Sequence, residues 1–189
     1  MSKSVCVASW SWSHSSLRTS APHRSQAPSR SKSARLYRAA DDLGKTHDPA
    51  WFPLLREIAD QHGDMYLSYA AESGGDAAIP AMLARLHSPD SNTREAAIYA
   101  LGQTGSRAVI ALLISLIGTE ASKRNAAGMN VSLSANQALR QLTHFYAEEG
   151  SEDTLVPGWR RRWEQWWLTA GASAPIYRPG DCVADTPLP

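Results

Sequence analysis

Cysteine, long apolar runs and strand-like alternation are all scarce in this sequence. The two cysteines, Cys6 and Cys182, lie near opposite ends of the chain in segments whose composition predicts no stable structure. Neither a disulfide framework nor a thiolate metal site is therefore indicated, and so little cysteine fits a reducing compartment. No segment shows the two-residue hydrophobic period of a half-buried strand, so we expect an all-α protein.

The longest apolar run covers residues 108–118, which is too short to cross a bilayer because a spanning helix needs about 20 residues. This run predicts a buried helix, and we expect no membrane association. The N-terminal segment lacks the apolar region of a secretory signal, so we expect a cytoplasmic protein. Because the segment is rich in serine and arginine and free of acid, organelle targeting is the alternative. An idle tail or a wrongly assigned start also fits it.

Acidic residues are missing from the first forty positions, which hold seven lysines and arginines. The rest of the chain carries 12 basic and 18 acidic residues, a net charge of −6. This asymmetry predicts a basic tail on an acidic body that is, as a whole, unsuited to binding nucleic acid. Weak, sequence-independent nucleic-acid binding through the tail stays an alternative function.

The composition divides the chain into four segments. Serine, arginine and proline dominate residues 1–40, which we expect to be disordered because they cannot bury enough apolar surface. Helical periodicity covers residues 48–146 and returns in a tryptophan-rich helix at 155–170, and residues 171–189 form a second tail without period. Within the repeat segment, Asn92 is the predicted cap of a helix, with Glu95 three positions further on.

The helical segment repeats itself with a period near 30 residues. The stretch "YAAESGGDAAIP" from Tyr69 returns as "YALGQTGSRAVI" from Tyr99, so that Gly75 matches Gly105. A third, weaker copy places Ala135 and Ala138 where the second has alanines. Repeated helix pairs indicate a solenoid, because only the next pair can cover the apolar face of each.

The second copy resembles the HEAT repeats, in particular the short HEAT-like repeats of phycobilisome lyases. The residues that fit this pattern are Asp90, Arg94, Ala97, Ala100, Leu101, Gly102 and Gly105. The resemblance extends over about residues 48–143 and implies a short α-solenoid of about three helix pairs, an armadillo-like architecture. The alanines would allow close helix packing, and Gly105 would close its helix with a positive φ.

Four tryptophans line one side of the last predicted helix, at positions i, i+4, i+7 and i+8: Trp159, Trp163, Trp166 and Trp167. We interpret them as a structural cap that covers the open end of the last repeat, since terminal repeats need sealing. An aromatic binding platform is the alternative reading. A tryptophan-rich closing helix is also similar to the ending of some bacterial HEAT-like proteins.

Catalytic patterns are absent from the sequence. It has no Gly-x-Ser-x-Gly nucleophile elbow, and the alternation of Asp60, His62 and Asp64 in one turn is more typical of a solvated connection than of a metal site. We therefore assign no catalytic residue, cofactor or metal. The resemblance nevertheless leaves open a bilin lyase-like or chromophore-chaperone role.

What remains is a surface for binding another protein. In HEAT stacks the second helix of each pair lines the concave side, so the resemblance implies a row of side chains there: Tyr69, Arg94, Glu95, Tyr99 and Gln137. We expect this row to hold a partner, with the protein a monomer otherwise and acting as a non-catalytic scaffold or adaptor. The alternative is that the tyrosines only fill the joints between repeats.

Overall fold

The computed structural model of the protein describes residues 4–6, 27–119, 130–147 and 158–184. Its elements are β1 (Ser4–Cys6), α1 (Ala27–Gly44), α2 (Phe52–His62), α3 (Leu67–Gly74), α4 (Ile79–Arg85), α5 (Ser91–Gln103), α6 (Ile110–Leu116), α7 (Val131–Thr143), α8 (Trp159–Trp166) and β2 (Cys182–Ala184). Short 3₁₀ turns precede α2, α3, α4 and α6, and α8 continues as a π-helical turn, Trp167–Gly171.

Six helices form three consecutive pairs, α2 with α3, α4 with α5 and α6 with α7. The second helices of the pairs, α3, α5 and α7, lie side by side in that order and form one layer. Helix α1 joins this layer beside α3, and α8 packs on α6 at the opposite end. The predicted all-α solenoid of three helix pairs is thereby confirmed.

Side-chain caps start the helices where the sequence supplies an Asp or Asn in an extended conformation. Asp90 accepts a hydrogen bond from the Thr93 amide at 3.0 Å and begins α5, and Asn130 accepts one from the Leu133 amide at 2.9 Å and begins α7. The prediction that Asn92 caps α5 is wrong. Asn92 already lies in the first turn of the helix. The capping residue is Asp90, two positions earlier, whose side chain accepts the hydrogen bond from the Thr93 amide.

Residues 27–40, predicted as part of the disordered tail, belong to helix α1 instead. Leu36, Tyr37, Ala40 and Leu43 form an apolar stripe along this helix and pack against the core. The prediction from composition was wrong here because serine and arginine occupy the other faces of the helix. They lower the average hydrophobicity of the segment, so the apolar stripe does not show in its composition. Residues 7–26 of the predicted tail lie outside the described part.

The segment after α8, also predicted as disordered, packs back onto the repeats as far as residue 181. We call residues 172–181 the C-terminal strap. The Arg107 guanidinium donates to the carbonyls of Gly171 and Ala174, and the Tyr177 amide donates to the Leu142 carbonyl at 2.9 Å. In these hydrogen bonds the strap contributes backbone groups, which leave no hydrophobic period in the sequence. Residues 185–189 lie outside the described part.

The strap crosses the ends of the second helices. Arg178 packs against Gly105, and its guanidinium lies 3.9 Å from the position that a Cβ would take on Gly75. Gly105 has a φ of +63°, the left-handed conformation predicted for it, and a side chain there would collide with Arg178. Beyond the strap, β2 pairs antiparallel with β1, with Cys6 opposite Cys182.

One hydrophobic core runs through the stack from α1 to α8. Its largest fully buried apolar side chains are Leu55, Leu67, Met82, Ile98, Leu101, Val109, Ile110, Leu113, Leu139, Leu142 and Trp163. None of the helices in the described ranges combines the length and the apolar character needed to cross a membrane.

Candidate interaction surface

Equivalent positions of the three second helices form two rows across their layer. Tyr69, Tyr99 and Gln137 make the first row, and Gln103 and Gln141 lie about one helical turn further on in α5 and α7. The register is set by packing between α5 and α7. A Cβ on Gly102 would come within 2.9 Å of the Ala138 Cβ, so no larger side chain fits between these helices.

This close approach brings the second row into direct contact. Gln103 donates to the Gln141 side-chain oxygen at 2.7 Å, and Gln141 donates back at 3.1 Å. Gln103 is 5% exposed, so its amide is satisfied by the facing amide rather than by water. The pair fixes the α5–α7 register and leaves part of Gln141 at the surface.

Tyrosines and a carboxylate fill the junction of α1, α3 and α5. The Tyr37 and Tyr69 rings meet edge to face with centroids 5.5 Å apart, and Tyr66 lies 6.4 Å from Tyr69. Glu72, one turn after Tyr69, is only 7% exposed. We call Tyr37, Tyr69, Glu72 and Tyr99 the tyrosine–carboxylate cluster.

The electrostatics of this cluster follow from its burial. Desolvation, and after it the nearby charge of Asp41, raise the pKa of Glu72 to about 7 against the opposing effect of Lys45. Lys45 is itself ion-paired with Asp41 at 2.6 Å. Burial and a hydrogen bond with Tyr37 raise the pKa of Tyr69, and burial also raises that of Tyr99. The cluster therefore holds a carboxyl group that changes charge near neutral pH.

The comparison with protein families agrees with this geometry. The model of HEAT repeats matches residues 67–132, from the start of α3 to the start of α7. This part of the chain is similar to HEAT repeats. No curated protein and no solved structure gives a significant match to the chain.

The five side chains predicted to bind a partner differ in how much of each remains accessible on the layer of second helices. Tyr69 and Glu95 are buried, at 9% and 7% exposure. Arg94 is half-buried, and its guanidinium donates to the carbonyls of Ser88 and Pro89 in the loop before α5, both at 2.9 Å. Tyr99 and Gln137 keep accessible surface on the layer. The partner-binding role of all five stays a prediction.

Two neighbouring residues at the α7 end of the layer of second helices make a surface contact that the sequence does not predict. The Arg140 guanidinium lies 4.5 Å from the centre of the Tyr146 ring, in a cation–π contact, and Tyr146 is 55% exposed. Arg140 follows Gln137 by three positions and so lies on the same face of α7. The repeat pattern has a glycine at the position that Arg140 occupies in the third copy. The pattern therefore does not predict a surface role for Arg140.

The aspartate turn weighed as a metal site instead links two repeats. Arg85 of α4 pairs with Asp60 and lies 3.6 Å from Asp64, whose other oxygen accepts from the Thr93 hydroxyl at 2.6 Å. Within the described residues, no group of three or more His, Cys, Asp or Glu side chains is arranged to hold a metal ion.

The tryptophan helix α8 packs against the last helix pair, α6 with α7. Trp163 is fully buried and donates its indole N–H to the Asn136 side chain of α7 at 2.7 Å, and Trp159 is 2% exposed. Phe145 stacks on Trp166, with centroids 5.4 Å apart and the ring planes at 17°. Trp166 and Trp167 are half-buried. All four therefore contribute to packing, and the first two offer almost no surface to a ligand.

Proposed function

We propose that the protein is a non-catalytic scaffold or adaptor that binds another protein across the layer of its second helices. HEAT repeats commonly mediate protein–protein interactions, because their stacked helices present rows of equivalent side chains to an extended partner. The observation that carries the proposal is the common register of this layer, in which Tyr99 and Gln137 occupy equivalent positions beside the Gln103–Gln141 pair.

The partner site that we propose consists of Tyr99, Gln137, Arg140, Gln141 and Tyr146. Four of these are half-buried and Tyr146 is exposed, so each is held by the fold while part of it remains accessible. Tyrosine and arginine are enriched among residues that dominate binding energies, and glutamine amides pair with the backbone of an extended segment. Because the side chains are largely pre-ordered, binding would cost little conformational entropy.

Site-specific photo-crosslinking tests this proposal. A photoreactive phenylalanine analogue is placed at position 137 or 141 of the full chain, and in matched proteins at the exposed positions 84 and 111 on the first helices α4 and α6. We expect a discrete adduct from 137 and 141 that is absent from 84 and 111. Adducts only from the first-helix positions would contradict the proposed site.

The identified partner then allows a quantitative test. Replacing Gln137 and Tyr146 with alanine should weaken its binding by about 10-fold or more, since truncating even one of the few residues that dominate an interface costs about 2 kcal/mol or more. Two other measurements separate the alternatives. A change in visible absorption on mixing with a tetrapyrrole would instead favour a bilin lyase-like or chaperone role, and salt-sensitive DNA retention would favour weak nucleic-acid binding.

We also propose that α8 is the structural cap of the stack. Its support is the burial of Trp159 and Trp163 against the last pair, with no further repeat following in the described part of the chain. A solenoid exposes the apolar face of its last pair unless another element covers it. Substitution of Trp163, described in the Discussion, tests this role.

A further inference from the structure

The two cysteines of the chain are brought together by its only β-ladder among the described residues. In the antiparallel pairing of β1 with β2, Ser4 lies opposite Ala184, Val5 opposite Val183, and Cys6 opposite Cys182. Almost the whole length of the chain separates these two cysteines in sequence. Their pairing is therefore a product of the tertiary fold, not of local sequence.

The backbone geometry of such a pair suits a covalent bridge. Directly opposed residues of an antiparallel ladder have Cα atoms about 4.5 to 5.5 Å apart. Disulfide-bonded cysteines usually have Cα atoms about 4.4 to 6.8 Å apart. The register alone thus gives Cys6 and Cys182 a separation that a disulfide can span without movement of the strands.

The position of Cys182 is also fixed from the body of the protein. It directly follows the C-terminal strap, which is held to the repeats through Arg107 and through the Tyr177 amide. The last turn of the strap is closed by the Arg178 amide, which donates to the Asp181 carboxylate at 2.6 Å. β2 therefore starts from an anchored point at the ends of the second helices.

We propose that Cys6 and Cys182 form an intramolecular disulfide that fastens the N-terminal strand to the C-terminal strap. The oxidant is a low-molecular-weight disulfide such as oxidised glutathione. One cysteine thiolate attacks it and releases a first glutathione thiolate, and the second cysteine thiolate then attacks the mixed disulfide and releases the other. Two thiols lose two protons and two electrons, and one glutathione disulfide becomes two thiols.

This bridge is independent of the scaffold function and would remain if no partner bound the second-helix layer. The low cysteine content is then compatible with one disulfide. This disulfide would be stable in an oxidising compartment and would be reduced to two thiols in a reducing one. The sequence alone predicts no disulfide, because nothing in the residues around either cysteine points to the other.

The test is a redox titration of the full-length chain. Reduced protein at low concentration is equilibrated with mixtures of reduced and oxidised glutathione, quenched with acid and analysed by intact mass and peptide mapping. We expect a monomer that is lighter by two hydrogen atoms, with one linked peptide containing Cys6 and Cys182. Its effective thiol concentration should exceed by at least 10-fold the roughly millimolar value of flexibly tethered groups.

A matched pair of variants shows whether the ladder positions the thiols. Val5→Pro removes a backbone N–H from β1 and should lower the effective concentration about 10-fold or more, whereas Val5→Thr keeps the N–H and should behave as wild type. Separate glutathione adducts on the two cysteines, covalent dimers at high dilution, or equal titrations of Val5→Pro and wild type would each overturn the proposal.

Discussion

The middle of the stack and its C-terminal end join helices in opposite ways. Between α5 and α7 the contact is made by Gly102 and Ala138, whose small size lets the backbones approach closely. Between α7 and α8 it is made by Trp163, which fills the space with a large ring and a hydrogen bond to Asn136. Small residues set the spacing and register of the repeats, and large ones supply buried apolar area at the C-terminal end of the stack.

The two helix contacts, α5 with α7 and α7 with α8, should therefore tolerate different substitutions. A joint of small residues has no room for an added group, so it is sensitive to enlargement. A joint of large residues depends on the area that it buries, so it is sensitive to truncation. The N-terminal end, with its tyrosine–carboxylate cluster, adds a third case in which stability depends on pH.

Truncation at the C-terminal end should have the largest effect. Trp163→Ala removes a fully buried ring and leaves the Asn136 side chain without its donor, so we expect a loss of about 3–5 kcal/mol in the free energy of unfolding. Urea denaturation followed by circular dichroism measures this loss. Leu168→Ala, at a side chain that is 83% exposed, is the control and should change stability by less than about 0.5 kcal/mol. A similar loss of unfolding free energy in both variants would contradict the proposal that α8 is the structural cap of the stack.

Enlargement in the middle should come next. Gly102→Val places a branched side chain against the backbone of Ala138, whose Cα lies 3.0 Å from the site of the new Cβ, and should cost about 2–3 kcal/mol. Thermal unfolding detects it as a decrease in Tm. Ala111→Val adds volume at an exposed site of α6 and should leave Tm nearly unchanged. If Gly102→Val unfolds at the wild-type temperature, the close approach of α5 and α7 is not a constraint.

The pH dependence extends the comparison to the N-terminal end. Folding raises the pKa of Glu72 from 4.5 to about 7, so the folded state binds its proton more tightly, and stability falls as the pH rises from about 5 to 8. We expect this group to lower the free energy of unfolding by about 1–2 kcal/mol over that range, allowing for residual solvent screening. Asp41, Lys45 and the neighbouring tyrosines Tyr37 and Tyr99 face the same carboxyl group.

Glu72→Gln isolates this contribution, since the amide stays neutral throughout. Its free energy of unfolding, from urea titrations at several pH values, should exceed that of wild type at pH 8 and approach it near pH 5. His144, whose pKa is lowered by burial, acts with the opposite sign but equally in both proteins. Parallel pH profiles for the two proteins would show that Glu72 does not titrate in this range.

The smallest expected effect concerns the Gln103–Gln141 pair. A double-mutant cycle with alanine at one or both positions should give a coupling energy of about 0.5–1.5 kcal/mol, because the two reciprocal hydrogen bonds are lost together. Equilibrium denaturation of the four proteins supplies the values. The same cycle on the exposed ion pair Arg160–Glu164 is the control and should give a coupling energy of about 0.5 kcal/mol or less. Equal coupling energies in the two cycles would contradict a larger contribution of the glutamine pair to stability.

Periodicity predicted the repeats well but not which side chains within them remain exposed. Leu54 lies beside Leu55 on α2 and Trp51 immediately precedes this helix, yet Trp51 and Leu54 are 38% and 43% exposed, whereas Leu55 is fully buried. A helical period identifies one face, and only the neighbouring helices determine how much of that face they cover. Tyr69 and Tyr99 show the same limit, since equivalent positions in the repeat are buried to different degrees once α1 packs beside α3.

The sequence by itself determined the helix pairs, their repeat and the glycine that ends α5, because these follow from local periodicity and backbone conformation. Only the tertiary structure decided that α1 joins the layer, that the C-terminal strap returns across the helix ends, and that Cys6 lies opposite Cys182. These contacts join segments distant in the chain, largely through backbone groups or short apolar stripes. Such groups become partners only when the helices between them have packed.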